Sequence, residues 1–390
     1  MILIELVFWV SVLLVLHSYA FFPLLLKWLA AGKKPNQLVY SNPEEFPEVA
    51  ILLAAYNEAA VIEEKIRSTF RTTYPRHKIS LYIGSDNSTD ETNAIVDSLK
   101  MEFPEIKFFP FAARTGKIGI INKLAQKALA PVLIFTDANV FFDKHTIFQL
   151  VKHFKNPEIG LVGGNILNEE VKSEGISVQE KAYLQRENLI KYQEGVLWGT
   201  MIGAFGGCFA MRRRNFVPTP GNFIVDDFYL SMKVLEQGQK AINELEAVSY
   251  EDVSNQLSEE FRRKVRISTG NFQNLHTFRH LLWPPFSGLA FSFLSHKVIR
   301  WYTPFLLLLI FFSNFALLSE GWLYKLTLAG QILLPATILL DWLLKKMNIH
   351  VRLFRFITHF YSMNLALLLG WNRYRKGVKT SVWTPTKRNQ

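Results

Sequence analysis

The chain has two strongly apolar ends and a middle with a mixed polar and apolar pattern. Residues 1–31 are nearly continuously apolar, with only Glu5, His17 and Lys27 ionisable. A membrane-spanning helix needs about 20 such residues, and this stretch lacks the basic start and small-residue cleavage site of a signal peptide. It therefore predicts a retained transmembrane anchor, followed by a polar linker at 32–47.

Apolar segments return after residue 280. Residues 281–300 are aromatic and mixed, which favours an interfacial segment, and 301–372 read as transmembrane and interfacial helices before a basic tail at 373–390. Because lysines and arginines gather beside these segments, the positive-inside rule places the middle domain and the tail in the cytoplasm. The charge pattern favours three spans in a bacterial-type inner membrane, with an interfacial last helix. The C-terminal segments concerned are two predicted spans and one shorter aromatic helix: 302–318, 322–344 and 354–371.

Residues 48–280 alternate between short apolar runs and segments with helical spacing. This alternation predicts parallel β-α-β units, and hence an α/β domain with a mostly parallel, Rossmann-like sheet. The predicted strands are 49–55, 79–85, 106–109, 132–136, 160–166 and 241–248. The predicted helices are 58–70, 90–100, 117–129, 178–194, 228–238 and 258–273.

Polar side chains follow three of the predicted strands. Ligands of such sheets bind beyond the carboxyl ends of the strands, so these positions predict a site. Capping of the helix at 90–100 is the competing interpretation for Asp86. The three strand ends are Tyr56-Asn57-Glu58, Asp86-Asn87-Ser88 and Asp137-Ala138-Asn139.

Two adjacent carboxylates, Asp226 and Asp227, open a predicted helix. A helix N-terminus favours negative charge, so a carboxylate there can stay ionised and accept a proton from a hydroxyl nucleophile. Asp is also a preferred capping residue, and the pair alone does not separate the two interpretations. The nucleotide pocket predicted before the pair, at the three strand ends, and a basic cluster at 262–266 after it favour the catalytic one.

Composition removes some classes of function. The net charge of +11 does not predict nucleic-acid binding, because the basic residues lie beside the apolar segments. The single cysteine, Cys208, excludes an intrachain disulfide and a cysteine metal site, and its apolar flanks predict burial. His276, His280 and His296 show no metal-ligand spacing.

A transferase that uses a sugar nucleotide needs groups for the nucleoside, a cation on the diphosphate, a base for the acceptor and positive charge on the leaving group. Candidates for each role occur here in order. In this order the motifs resemble the family 2 glycosyltransferases, and more narrowly the membrane-bound branch of cellulose, chitin, hyaluronan and poly-N-acetylglucosamine synthases. They are Ala54-Ala55-Tyr56-Asn57-Glu58, Ser85-Asp86-Asn87-Ser88-Thr89-Asp90, Gly116-Lys117, Thr136-Asp137-Ala138-Asn139, Gly206-Gly207, Asp226-Asp227 and Arg263-Lys264-Val265-Arg266.

The resemblance implies a GT-A fold, inverting transfer from a nucleotide-sugar, usually a UDP-sugar, and a divalent cation, Mg²⁺ or Mn²⁺. Asp227 falls on the family's general base, with Asp226 in the place of a glutamate. The remaining expected site residues, carried over by position, are Tyr56, Glu58 and Asp86 for the nucleoside, Lys117 near the diphosphate, Asp137 and Asn139 for the metal, and Arg263 and Arg266 against the diphosphate and acceptor.

The departures from the family pattern are informative. The second metal aspartate is Asn139, so the site loses one charge. Arg263 replaces a glutamine, and Ile267 replaces the tryptophan that helps to hold a growing sugar chain in the polymer synthases. This predicts an enzyme that adds one or a few sugars. Arg262 and Lys264 are expected to be surface charges.

The expected donor is a UDP-sugar, and the expected acceptor is a lipid-linked or membrane-proximal glycan. A processive polysaccharide synthase, or a subunit of one, is the alternative enzyme. A non-catalytic membrane partner that binds a nucleotide-sugar or glycan is the alternative of another class. Asn139 favours that partner, while Asp227 and the pair Arg263 and Arg266 oppose it.

Overall fold

The computed structural model describes residues 1–168, 177–251, 257–347, 349 and 351–378 of the 390-residue chain. The part of the expected basic tail beyond residue 378 lies outside the described residues. The strands are β1 (Val49–Ala55), β2 (Ile79–Asp86), β3 (Ile106–Phe111), β4 (Val132–Thr136), β5 (Val140–Phe142), β6 (Ile159–Asn168), β7 (Cys208–Arg212) and β8 (Lys240–Glu251).

The α-helices are α1 (Ile2–Leu16), α2 (Phe22–Leu29), α3 (Ile62–Phe70), α4 (Thr92–Leu99), α5 (Gly116–Lys127), α6 (Thr146–Val151), α7 (Ser177–Trp198), α8 (Asp226–Glu236), α9 (Leu257–Phe278), α10 (Gly288–Ser292), α11 (Ile299–Ala316), α12 (Trp322–Lys346) and α13 (Arg352–Arg375). Short π-helical turns, His17–Phe21 and Phe293–Val298, join α1 to α2 and α10 to α11.

The strands form one mixed sheet in the order β3-β2-β1-β4-β7-β6-β8-β5. The β3-β2-β1-β4 half is parallel, as predicted, whereas β7 runs antiparallel to both of its neighbours. Because β1 pairs in parallel with β2 and β4, the three polar strand ends meet at one edge of the sheet.

Both faces of the sheet are covered, which explains the unbroken apolar run of β1. Val49, Ile51 and Leu53 pack on one face in the core that includes residues of α3 and α4. Ala50 and Leu52 face the opposite core, formed with α5 and α8. Strands that are buried on both faces lose the alternation of exposed strands, because neither face needs polar side chains.

Three elements of the α/β domain were not predicted, and one of them is the antiparallel strand β7, which follows the glycine-rich turn at 203–207. The strand β5 has only three residues, and it pairs antiparallel with β8 at the end of the sheet. The helix α6 has six residues. Both are too short to develop a clear hydrophobic period.

Three helical stretches are long and apolar enough to cross a membrane, as expected: Ile2–Leu29, Gly288–Ala316 and Trp322–Lys346. The segment expected at 281–300 is helical from Gly288 and continues directly into the second of these stretches. The first stretch packs on the second, where Ser18 Oγ donates a hydrogen bond to the carbonyl of Ser295 at 2.7 Å.

The helix α13 lies along α9 of the α/β domain. A Cβ atom on Gly370 would lie 2.4 Å from Ser268, so the glycine permits this close approach. Ser268 Oγ also donates to the carbonyl of Leu367 at 3.1 Å. The last helix therefore covers the face of the domain on which α9 lies.

Candidate active site

A cavity of about 510 Å³ opens where the parallel strands end and α8 begins. It is bounded further by α7, α9, α13 and the stretch Gly288–Ala316. Every site residue predicted from the sequence lines it: Tyr56, Glu58, Asp86, Lys117, Asp137, Asn139, Asp226, Asp227, Arg263 and Arg266.

At one end of the cavity, Asp86 organises the start of α5. Its carboxylate accepts hydrogen bonds from the backbone N–H groups of Thr115 (2.6 Å) and Gly116 (3.0 Å) and from Nε of Arg114 (3.1 Å). The Arg114 guanidinium in turn lies 3.3 Å from the centre of the Tyr56 ring. Asp86 thus stabilises the start of α5. The capping contacts at the start of α4, which the competing interpretation assigned to Asp86, are made by Asp90, whose carboxylate accepts hydrogen bonds from Thr92.

The start of α5 directs Lys117 toward the third strand end. Its Nζ lies 2.6 Å from Oδ1 of Asp137. Burial disfavours the charged amine, but Asp137, and then Asp226 and Asp227, raise the pKa of Lys117 above its ordinary value. The lysine therefore stays cationic between the metal-motif aspartate and the two carboxylates of α8.

Asp227 lies at the first turn of α8. Its Oδ1 accepts a 2.7 Å hydrogen bond from the N–H of Phe228, and a Cβ atom on Gly206 would lie 2.8 Å from its Oδ2. Burial and the charge of Asp226 raise the pKa of Asp227 to about 6, although Lys117 opposes the shift. A carboxylate with this pKa is ionised at neutral pH and still basic enough to take a proton.

The basic cluster of α9 enters the same cavity. Arg263 lies 3.5 Å from the buried carboxylate of Glu260, and Arg266 lines the cavity one turn further along. The expectation that Lys264 is a surface charge is wrong, because its Nζ lies 3.2 Å from both Glu180 and Glu260. Arg262 is exposed, as expected.

Sequence reasoning missed the wall that α7 contributes. Glu187 and Glu194 are fully buried, and Glu180 and Lys191 nearly so. Positions 180, 187, 191 and 194 recur at helical spacing and share one face of the helix. Such a charged stripe is an available signal, but a long polar helix without an apolar face conceals which side is buried.

The stretch Gly288–Ala316 supplies the partners of this stripe. His296 lies 2.9 Å from Glu194 through Nδ1 and 3.1 Å from Glu187 through Nε2. Lys297 and Arg300 also pair with Glu187. This buried network ties the α/β domain to a helix that can cross the membrane.

A fully buried lysine supports the turn that carries the metal motif. Lys65 donates hydrogen bonds to Oγ1 of Thr136, at 2.7 Å, and to the carbonyl of Val140. It therefore joins the two sides of the turn that contains Asp137 and Asn139. Cys208 is buried behind this site, as predicted.

The donor set fits a cation held jointly with a substrate. No cluster of three or more His, Cys, Asp or Glu side chains poised to hold a metal occurs in the described part of the chain. Mg²⁺ and Mn²⁺ are commonly bound by one or two carboxylates together with substrate phosphates, which a single half-buried carboxylate such as Asp137 allows. The side-chain amide of Asn139 donates to Glu251 at 3.2 Å, which orients it beside that position.

Comparison with known proteins identifies the family and the fold of this domain. Residues 50–217 match the family described as Glycosyl transferase family 2. The chain thus carries a family 2 glycosyltransferase domain, and the family predicted from its motifs is confirmed.

Curated relatives include a beta-monoglucosyldiacylglycerol synthase of Synechocystis sp., 30% identical over 40% of this chain. They also include a poly-beta-1,6-N-acetyl-D-glucosamine synthase of Staphylococcus aureus, 24% identical over 63% of this chain. The chain covers only 34% and 58% of the lengths of these two relatives.

Among solved structures, a mannosyltransferase from Pyrobaculum calidifontis in complex with GDP-Man and Mn²⁺ superimposes with a TM-score of 0.70. It is 21% identical, and the alignment covers 95% of this chain and 99% of that one. This likeness confirms the predicted GT-A fold.

Proposed function

We propose that this chain is a membrane-anchored, metal-dependent, inverting glycosyltransferase. It moves a sugar from a nucleotide-sugar, a UDP-sugar by the family resemblance, to a hydroxyl of a lipid-linked or membrane-proximal glycan. The observation that carries the proposal is the position of Asp227, whose pKa is about 6, in one cavity with the Lys117–Asp137 pair. Its cytoplasmic orientation at a bacterial-type inner membrane rests on the charge pattern of the chain.

The strand ends supply the donor site in this proposal. Tyr56 and Glu58 contact the nucleoside, and Asp86 shapes its site by holding Arg114 against the Tyr56 ring. Asp137, with Asn139 beside it, would hold Mg²⁺ or Mn²⁺, which supplies positive charge to the diphosphate when bound. In this proposal the linker comprises residues 32–47, and the catalytic domain comprises residues 48–280.

Asp227 acts as the general base, and Asp226 supports it. A carboxylate oxygen of Asp227 takes the proton of the acceptor hydroxyl as that oxygen bonds to the anomeric carbon. The bond from this carbon to the diphosphate breaks on the opposite face, which inverts the configuration. Lys117, Arg263 and Arg266 then stabilise the negative charge of the departing nucleotide.

Transfer of one or a few sugars is supported by the roof of the cavity. Ile267 offers no aromatic face to a sugar ring, and α13 places His359, Met363 and Leu367 over the site. We therefore favour a non-processive transferase over a processive synthase.

The test uses purified full-length protein in detergent with a panel of UDP- and GDP-sugars and either Mg²⁺ or Mn²⁺. Released nucleotide and the length of any product are both measured. We expect turnover of one donor class, its loss on adding EDTA, and short products. A long product ladder would contradict the non-processive assignment, and nucleotide binding without turnover of any donor, with lipid and glycan acceptors supplied, would contradict the enzyme.

A further inference from the structure

The wall formed by α7 places an aromatic ring in the cavity. Tyr183 lines the cavity and is 40% exposed. The ammonium of Lys264, from α9, lies 4.6 Å from the centre of this ring. The contact with Lys264 restrains the ring on one side, and the exposed part of the ring remains accessible to a ligand in the cavity.

A buried carboxylate beside this ring lacks a full set of hydrogen bonds. Glu180 is 3% exposed and also lines the cavity. Its Oε2 accepts a hydrogen bond from Lys264 at 3.2 Å, whereas its Oε1 has no hydrogen-bond partner among the described residues. A buried acceptor without a donor is unfavourable, so this oxygen is suited to a hydrogen-bond donor that a ligand brings.

The helix α13 places a histidine next to this carboxylate. Nε2 of His359 lies 3.5 Å from Oε1 of Glu180, and Nδ1 of the same ring has no hydrogen-bond partner in the part of the chain that the structure describes. Burial lowers the pKa of His359 below its ordinary value, so the ring is neutral at neutral pH. A neutral imidazole has one donor and one acceptor nitrogen, which matches the hydrogen bonding of a hydroxyl group.

The helix face that carries Tyr183 continues toward the proposed base. Tyr183, Glu187 and Lys191 recur every four residues and therefore share one face of α7. Burial lowers the pKa of Lys191, and nearby acidic groups that include Asp227 oppose this shift, so Asp227 acts on the far end of the same face. The proposed donor residues come instead from the strand ends and from the start of α5. A ligand on Tyr183 therefore lies along the wall that leads to Asp227, as an acceptor must.

The chemistry around Tyr183 selects the kind of ligand. A hydrocarbon chain on the ring would remove water from Glu180 and His359 without offering them hydrogen bonds, which is unfavourable. A pyranose ring has an apolar face of C–H groups, which can pack on the electron-rich face of an aromatic ring, and it has hydroxyl groups around its edge. The hydroxyls can donate to the carboxylate and form hydrogen bonds with the imidazole. A sugar ring therefore matches all three side chains at once.

We propose that Tyr183, Glu180 and His359 form a subsite for a pyranose ring of the glycan acceptor. The sugar stacks on Tyr183, one of its hydroxyls donates to Oε1 of Glu180, and another bonds to Nδ1 of His359. The subsite rests on the proposed function, because it belongs to the acceptor of the same cavity. It supplies from α7 the aromatic face that Ile267 lacks on α9, and a single ring of this kind suits transfer of one or a few sugars.

The test measures binding of disaccharides to the full-length protein by ligand-detected NMR titration. The detergent is octaethylene glycol dodecyl ether, which has no sugar headgroup, and UDP with Mn²⁺ is present in one series and absent from the other. The probes are cellobiose, gentiobiose, mannobiose and N,N′-diacetylchitobiose, with dioctanoylglycerol as the probe without a sugar. We expect at least one disaccharide to bind, with saturation transfer strongest at the C–H protons of one sugar ring. No binding of any disaccharide in either series would overturn the proposal, and a lipid alcohol would be the ligand if dioctanoylglycerol alone bound.

Variants locate the site. Tyr183→Ala should weaken binding of that disaccharide by about tenfold or more, because stacking on the ring is lost, while Tyr183→Phe should bind within about twofold of the wild type. Tyr192→Ala makes the same change at a half-buried position of α7 that does not line the cavity, and it is the matched control. Thermal unfolding of each variant shows whether it is folded.

His359→Ala gives an independent measurement if Tyr183→Ala fails to fold. It removes one hydrogen bond to a hydroxyl and should weaken binding by about two- to tenfold. Wild-type affinity in both Tyr183→Ala and His359→Ala, or in whichever of them folds, would refute the proposal.

Sugar binding and turnover can fail separately. If a disaccharide binds through Tyr183 but no nucleotide-sugar is turned over, the subsite stands and the enzyme does not. If a donor is turned over while disaccharide binding is indifferent to Tyr183→Ala, the enzyme stands and the subsite is refuted.

Discussion

Lys117 Nζ lies 2.6 Å from Oδ1 of Asp137, so the lysine proposed to face the diphosphate is paired with the carboxylate proposed to hold the metal. In the proposed function, donor and metal binding must share or replace this contact. The lysine neutralises the carboxylate in this pair, and we propose that it faces phosphate oxygens when a donor is bound. Because the same lysine would serve both contacts, we expect its substitution to weaken donor binding.

Lys117→Met should weaken binding of UDP in the presence of Mn²⁺ by about tenfold or more, because a charged hydrogen bond to phosphate contributes about 1.5–3 kcal/mol. Isothermal titration calorimetry measures this directly. Lys127→Met, in the last turn of the same helix and exposed, is the control and should bind UDP like the wild type. Unchanged affinity in Lys117→Met would remove this lysine from the donor site.

The pH dependence of turnover should follow Asp227. Its pKa is raised to about 6 by burial and by Asp226, and only its ionised form can accept a proton. We expect kcat/KM to fall about tenfold per pH unit as the pH drops below about 6, and to level off above it. A rate profile between pH 4.5 and 8.5, with nucleotide affinity measured at each pH, tests this; a flat profile with unchanged affinity would argue against Asp227 as the base.

The close contact between Gly206 and Asp227 predicts a catalytic defect without a large loss of stability. A Cβ on Gly206 would lie 2.8 Å from Asp227 Oδ2, and the carboxylate can rotate away. Gly206→Ala should reduce kcat by about 10- to 100-fold, since displacement of a reacting group by about 1 Å can have that effect.

The control is Gly221→Ala, in the loop between β7 and α8, where a Cβ would meet no atom within 4 Å. Comparable kcat in the two variants would show that the position of the Asp227 carboxylate is not restricted by Gly206. Thermal unfolding of both proteins separates an effect on kcat from one on stability.

The packing of α13 on α9 predicts a stability effect instead. A Cβ on Gly370 would lie 2.4 Å from Ser268 and 2.9 Å from the backbone nitrogen of Thr269. Gly370→Ala should lower the free energy of unfolding by about 1–3 kcal/mol, as overpacking typically does. Gly330→Ala, a helical position of α12 with no neighbour within 4 Å, is expected to be neutral or slightly stabilising when melting in detergent is compared.

The sequence was most informative where local chemistry and topology coincide. Polar residues after β1, β2 and β4 were predicted to converge, and parallel pairing of these strands does bring them together. The carboxylates of α8 were likewise predicted at a helix start. In these cases a short motif, together with the direction of one strand or helix, is enough to predict where the side chains lie.

The residues that the sequence did not reveal depend on packing between distant segments. Glu187 and His296 are more than one hundred positions apart, and only the docking of the stretch Gly288–Ala316 on α7 makes them neighbours. Lys264 looked like a surface charge because nothing local shows that Glu180 lies opposite it. Lys65 was overlooked for the same reason, since its partners belong to a turn seventy residues away.

The proposed role of Asp227 as the base of a glycosyl transfer is tested most directly by comparing the wild type with Asp227→Asn. The substitution keeps the size of the side chain and removes its ability to accept a proton. For the donor that the wild type turns over, we expect release of nucleotide to fall by at least about 100-fold, while UDP still binds with an affinity close to that of the wild type. Asp97→Asn, at an exposed position of α4, should keep both the turnover and the UDP affinity of the wild type. Wild-type turnover by Asp227→Asn would show that Asp227 is not the base.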